Sequence, residues 1–154
     1  MIRIRLADRT DIAMLADLLG ELFAQEKEFV PDRAAQTRGL MLLMERGADV
    51  RIMVAERKGD VIGMGILHYG ISTFLGAKIA TLEDVIVTSA QRGCGTGRQL
   101  MAGIIEQARA DGAQRITLLT DHDNAAGQHF YEGFGFTRSS MLPYRLMLSR
   151  TVTV

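Results

Sequence analysis

Residues 2–6, IRIRL, alternate apolar and basic side chains, the period of a half-buried strand. Asp8 then offers a helix N-cap, with Asp11 three residues on in a variant of the capping box. Ile12, Leu15, Leu18, Leu19, Leu22 and Phe23 recur at helical spacing. Pro31 interrupts the chain after the charged run 25–28, and a second helix is predicted over 33–45. Leu40, Leu43 and Met44 form its apolar face, and Gly47 ends it. The period then changes to that of strands. Residues 50–56 read as a strand, KGD at 58–60 as a hairpin turn, and 61–69 as its partner. A longer strand is predicted over 77–87 after a break at Gly76. Leu100, Met101, Ile104, Ile105 and Ala108 mark one face of a helix over 98–110, stopped by Gly112. RITLLT at 115–120 reads as a short buried strand, and 125–132 as a short helix ending at Gly133. The tail is predicted to hold one or two strands, around 136–139 and 144–149. Antiparallel hairpins thus precede a βαβ crossover, which reads as one α/β domain over residues 1–154.

Composition narrows the partners. Lys and Arg together number 18, as do Asp and Glu, so no broad field favours a nucleic acid or an anionic membrane. One cysteine rules out an intrachain disulfide and fits a reducing compartment. No stretch approaches the roughly 20 apolar residues of a membrane span, and MIRIRLADRTD does not read as a signal peptide. The expectation is a cytoplasmic protein.

The chemistry starts at QRGCGTGRQL, residues 91–100, where Gly93, Gly95 and Gly97 alternate between a strand and a helix. The first N–H groups of a helix lack intrahelical partners and carry partial positive charge. Glycines let phosphate oxygens reach such groups, and Arg92 and Arg98 flank the loop. A Walker loop would need a lysine that is absent. A dinucleotide fingerprint would need a third glycine where Arg98 or Leu100 stands. On the glycines alone, a phosphate loop and a plain turn are equally good readings.

RGCGTG at 92–97, after the strand LEDVIV, resembles the acetyl-CoA loop of the GNAT N-acetyltransferase superfamily. NAAGQHFYEGFGF at 124–136 resembles that superfamily's second motif, with Gly127 in place of the usual small alanine. Together the two motifs cover about residues 80–136, and the preceding strand, two helices and meander share the superfamily's layout. The resemblance implies a GNAT fold: a mixed central sheet of about six to seven strands, about four flanking helices, and a cofactor cleft between splayed strands. It also implies acetyl transfer from acetyl-CoA to a primary amine, by direct attack in a ternary complex. The acceptor would be a small molecule or a peptide amine. A binding-only acyl-CoA module on the same fold is the alternative.

Under the resemblance, backbone groups of Val85, Ile86 and Val87 hold the pantetheine arm and polarise the thioester carbonyl. Arg92, Gly93, Cys94, Gly95, Thr96, Gly97 and Arg98 hold the pyrophosphate. Asn124 contacts the cofactor arm or caps the short helix, and Phe130 packs against the cofactor. Tyr131 stands where the superfamily carries its general acid; a phenol with a pKa of about 10 can donate to a departing thiolate. Glu83 is the candidate base, directly or through a water. Asp84 points to the other face if the strand is regular, and a bulge would change that parity. Substrate binding explains these two acids nearly as well. Cys94 is not required as a nucleophile when the amine attacks directly. His122 lies between Asp121 and Asp123 without metal spacing elsewhere, so no metal is expected. His68 and His129 stand alone and read as ordinary structural histidines. Homodimers are a tendency of the superfamily, and the last residues, SRTVTV, could serve as a pairing edge. The sequence names neither the acceptor nor an acyl preference.

Overall fold

The hairpin predicted at KGD forms in the computed structural model, which describes residues 1–149. Lys58 and Gly59 both take positive φ, 53° and 87°, the conformation that lets a two-residue turn follow the twist of its strands. The turn joins β2 (Val50–Arg57) to β3 (Asp60–Ser72). β1 (Arg3–Leu6) pairs β2, and β4 (Ala77–Val87) pairs β3, all antiparallel. β5 (Ile116–Leu118) joins β4 in parallel, giving a mixed five-stranded sheet in chain order. The β4–β5 ladder runs from Ala80↔Ile116 to Leu82↔Leu118 and ends there, while β4 continues to Val87 against β3.

Four helices accompany the sheet: α1 (Ile12–Gln25), α2 (Arg33–Met44), α3 (Thr96–Ala110) and α4 (Ala125–Glu132). Helices α1 and α2 cover one sheet face. Leu15, Leu18, Leu19 and Leu40 pack there with Val54, Met64, Ile66 and Ile86. Fully burying such a side chain contributes about 1.5–3 kcal/mol. The buried Gln36 ties the two helices, donating to the Ala16 carbonyl at 3.0 Å and accepting from the Asp32 N–H at 2.8 Å. Helix α3 covers the other face at close range. A Cβ on Gly65 would stand 2.6 Å from Ile104 Cδ1, and one on Gly103 2.5 Å from Ile4 Cγ2. Both glycines are therefore what lets helix and sheet meet.

The end of α3 is pinned by Asp111. Its carboxylate accepts from Tyr69 Oη at 2.6 Å, Arg51 Nε at 3.0 Å and Gln107 Nε2 at 3.0 Å. Burial pushes that carboxyl up, but the three donors outweigh it and hold it at about 2.

The chain divides into two compact units, Met1–Leu118 and Leu119–Val154. The second holds α4 and the tail. The strands predicted at 136–139 and 144–149 do not form among the described residues, so the sheet has five strands rather than six or seven. A strand is defined by its ladder, and propensity alone supplies no partner. The start of β5 moves by one residue and its end by two, and α3 begins at Thr96, inside the glycine run. Most of SRTVTV lies outside the described residues. Among those residues no helix is long and apolar enough to cross a membrane.

Candidate active site

The residues singled out above fall in both units. In Met1–Leu118 they begin on β4. Met64 pairs Ile86 and Ile66 pairs Glu83, so Gly65 of β3 faces two residues, Asp84 and Val85. This is the bulge that alters side-chain parity, and Asp84 sits in it with φ of 54°. Glu83 projects to the α1 face with its partner Ile66, and His68 lies two residues along β3 on that face. His68 Nε2 stands 3.4 Å from Glu83 Oε2. The bond raises the imidazole above its ordinary range and holds the Glu83 carboxyl below its own. Burial, and then the Glu83 charge, push the half-buried Asp84 up to about 6.

After β4 the chain turns through Ser89–Gln91 into the glycine loop. Gly93 and Gly95 take φ of 76° and 82°, which a side chain would strain. A Cβ at either would meet nothing within 4 Å, so internal packing does not demand glycine there. The loop instead presents bare backbone outward. Gly95 is the N-cap of α3 and supplies no side-chain cap. Thr96, the first residue of the helix, is 1% exposed, and its Oγ1 has no hydrogen-bond partner among the described residues. A buried hydroxyl without a partner costs stability. Bare N–H groups and the positive helix end together suit a phosphate.

Two contacts brace this loop. Ser89 N–H donates to Glu21 Oε1 on α1 at 3.1 Å. Burial pushes Glu21 up, but its bonds from Ser89 and Thr88 prevail and leave it below the ordinary carboxylate range. Arg92 Nε donates to the Val87 carbonyl at 2.9 Å, so this arginine closes the loop on the strand end. Cys94 is exposed, with its Sγ 3.5 Å from the Arg92 carbonyl oxygen.

In the second unit, Asn124 caps α4. Its Oδ1 accepts from Gly127 N–H at 3.0 Å, and its Nδ2 donates to Thr120 Oγ1 at 3.2 Å. A Cβ on residue 127 would run into the Asn124 amide, which accounts for glycine at that position. Phe130 and Tyr131 pack edge-on at 5.4 Å, with Phe134 at 5.3 Å from Phe130 and Phe136 at 5.9 Å from Tyr131. His68, Glu21 and the isolation of Thr96 Oγ1 were not legible as site features in the sequence. The partners of His68 and Glu21 lie far along the chain, and Thr96 Oγ1 has none among the described residues.

The sequence profile described as the Acetyltransferase (GNAT) family matches residues 13–136, most of the chain. The chain belongs to this acetyltransferase family. GNAT membership makes it an acyltransferase, on an α/β fold. It is 31% identical over 137 residues to the uncharacterized N-acetyltransferase YhfO of Bacillus subtilis (strain 168), covering 86% of this chain and 88% of that one. It is 26% identical over 142 residues to the L-methionine sulfoximine/L-methionine sulfone acetyltransferase of Salmonella typhimurium (strain LT2), covering 91% and 82%. A solved structure described as a transcriptional regulator from Bacillus halodurans C-125 shares the fold with TM-score 0.82. It is 26% identical and covers 96% of this chain and all of that one.

Proposed function

We propose that this GNAT protein transfers the acetyl group of acetyl-CoA to the primary amine of a small molecule, by direct attack in a ternary complex. The observation that carries the reading is the glycine loop, whose Gly93 and Gly95 take positive φ without any packing demand and lead into the N-terminus of α3. Backbone N–H groups over 93–98 would hold the pyrophosphate. The part of β4 beyond the end of its ladder with β5 at Leu82 would hold the pantetheine arm through Val85, Ile86 and Val87. Acetyl-CoA supplies the activated acyl group. The chain supplies two proton movements: an acid of β4 takes the proton from the acceptor's ammonium, and Tyr131 returns one to the departing thiolate. Asn124 keeps α4 in place, and Phe130 packs beside Tyr131. The Salmonella relative is named for two amino-acid derivatives, so α-amino acids and their oxidised sulfur analogues head the acceptor candidates. The relative named as a transcriptional regulator favours the second reading, an acyl-CoA sensor without turnover.

Calorimetric titration with acetyl-CoA, ATP and NAD separates a CoA site from a general nucleotide site. Binding of acetyl-CoA alone is expected, and binding of ATP or NAD alone overturns the proposal. Gly95→Val is expected to weaken acetyl-CoA by ten-fold or more, since it puts a side chain on a φ of 82° where the backbone must approach phosphate. Unchanged affinity in the folded variant would remove the loop from the site. Thr96→Val should stabilise the free protein by up to ~1 kcal/mol, because the unsatisfied hydroxyl is gone. Thermal melting reads this, and a lower melting temperature in the variant contradicts it.

A further inference from the structure

Two acids stand side by side on β4, and the fold treats them differently. Glu83 is exposed and already engaged with His68. Asp84 is half-buried, and its carboxylate makes no hydrogen bond or ion pair with any described residue. Asp84 also occupies the left-handed region, with φ of 54°. Aspartate is among the few residues besides glycine that take this conformation readily, and here it turns the side chain away from the parity of a regular strand. A half-buried carboxylate without a protein partner among the described residues, set on a bulge, remains open to an incoming cation.

We propose that Asp84, rather than Glu83, receives the ammonium group of the acceptor and takes its proton, with the His68–Glu83 pair as a positioning element beside it. The inference rests on the transferase reading given above. In the step, one N–H bond of the ammonium breaks and its electron pair stays on nitrogen. An O–H bond forms on an Asp84 carboxylate oxygen, so a cation and an anion become a neutral amine and a neutral acid. Low polarity favours that neutral pair, and the same burial strengthens the carboxylate as a base. The charged groups acting on Asp84 are Glu83 of β4 and His68 of β3, and Arg46, after α2, acts on His68. Glu83 therefore holds the Asp84 carboxyl up while His68 pulls it down.

The test compares wild type, Asp84→Asn, Asp84→Gly and Glu83→Gln in acetyl-transfer kinetics across pH, acetyl-CoA titration and thermal melting. Asp84→Gly suits the positive φ and guards against a folding artefact. Both Asp84 variants are expected to lose about 10²–10⁴-fold in kcat/KM, keep acetyl-CoA affinity, and melt no lower than wild type. An acid that held the fold together would lower the melting temperature when replaced. Glu83→Gln is expected to lose less than about ten-fold and to move the acidic limb of the profile, near pH 6, to lower pH. Full activity in the Asp84 variants, with Glu83→Gln inactive, overturns the assignment and makes Glu83 the base. Wild type that binds acetyl-CoA and turns over no acceptor overturns the transferase reading itself, and this assignment with it.

Discussion

Replacing Asp11 with alanine is expected to lower the unfolding free energy by about 3–5 kcal/mol, the usual result of removing one partner of a buried ion pair. Asp11 is 2% exposed and meets Arg5 with both oxygens, at 2.8 and 2.9 Å. The same guanidinium reaches Glu56 Oε2 through Nε at 2.6 Å. Asp11 Oδ2 also accepts from the Asp8 N–H at 2.8 Å, completing the capping box at the turn into α1. Truncation would leave Arg5 with Glu56 as its remaining carboxylate partner and free the N–H of Asp8. Asp11→Asn keeps an acceptor for Asp8, so it should cost less than alanine. The bonds from Arg5 hold the Asp11 carboxyl below its ordinary range, even against burial. Its contribution is therefore fully present above the unfolded carboxylate range and is lost as pH falls through the lower, folded value. Urea unfolding of wild type and both variants, repeated at neutral and acidic pH, reads these effects. A wild-type midpoint in Asp11→Ala would refute the role given to the pair.

Tyr131→Phe is expected to cut turnover by about 10²–10⁴-fold while leaving acetyl-CoA affinity nearly unchanged. Phenylalanine keeps the ring that packs on Phe130 and Phe136, at 5.4 and 5.9 Å, and removes only the hydroxyl. A phenol at neutral pH is protonated and can deliver its proton to a leaving thiolate, and phenylalanine cannot. A loss confined to kcat therefore marks a proton donor. A loss in acetyl-CoA affinity instead would mark a binding residue, and unchanged turnover would remove Tyr131 from the chemistry. Steady-state kinetics and a titration on one preparation separate these outcomes.

The local code of the chain carried most of the fold. Asp8 and Asp11 announced the first helix, KGD the hairpin, Gly112 the end of α3, and Asn124 the cap of α4. These are contacts between residues a few positions apart, set by capping and turn chemistry. The glycine loop was legible for the same reason, since its function needs backbone rather than side chains. What the sequence withheld depends on register and distance. The extra residue in β4 exists only relative to Gly65 of β3, so the strand could not reveal on which face Asp84 lies. His68 meets Glu83 because an antiparallel ladder aligns them, and Glu21 meets Ser89 across 68 positions. Residues 136–149 carry strand-like composition without forming a ladder among the described residues, which is why the predicted tail strands did not appear.

The central claim, acetyl transfer to an amine, is tested most directly by measuring CoA release from acetyl-CoA with purified protein. The acceptor panel spans α-amino acids, L-methionine sulfoximine and sulfone, polyamines, amino sugars, aminoglycosides and short peptides, against a blank without acceptor. Release is expected to depend on one amine class, to be accompanied by the N-acetylated product in mass spectrometry, and to fall about 10²–10⁴-fold in Asp84→Asn. Tight acetyl-CoA binding with no release above the blank for any amine would contradict it, and would leave an acyl-CoA sensor on an acetyltransferase fold.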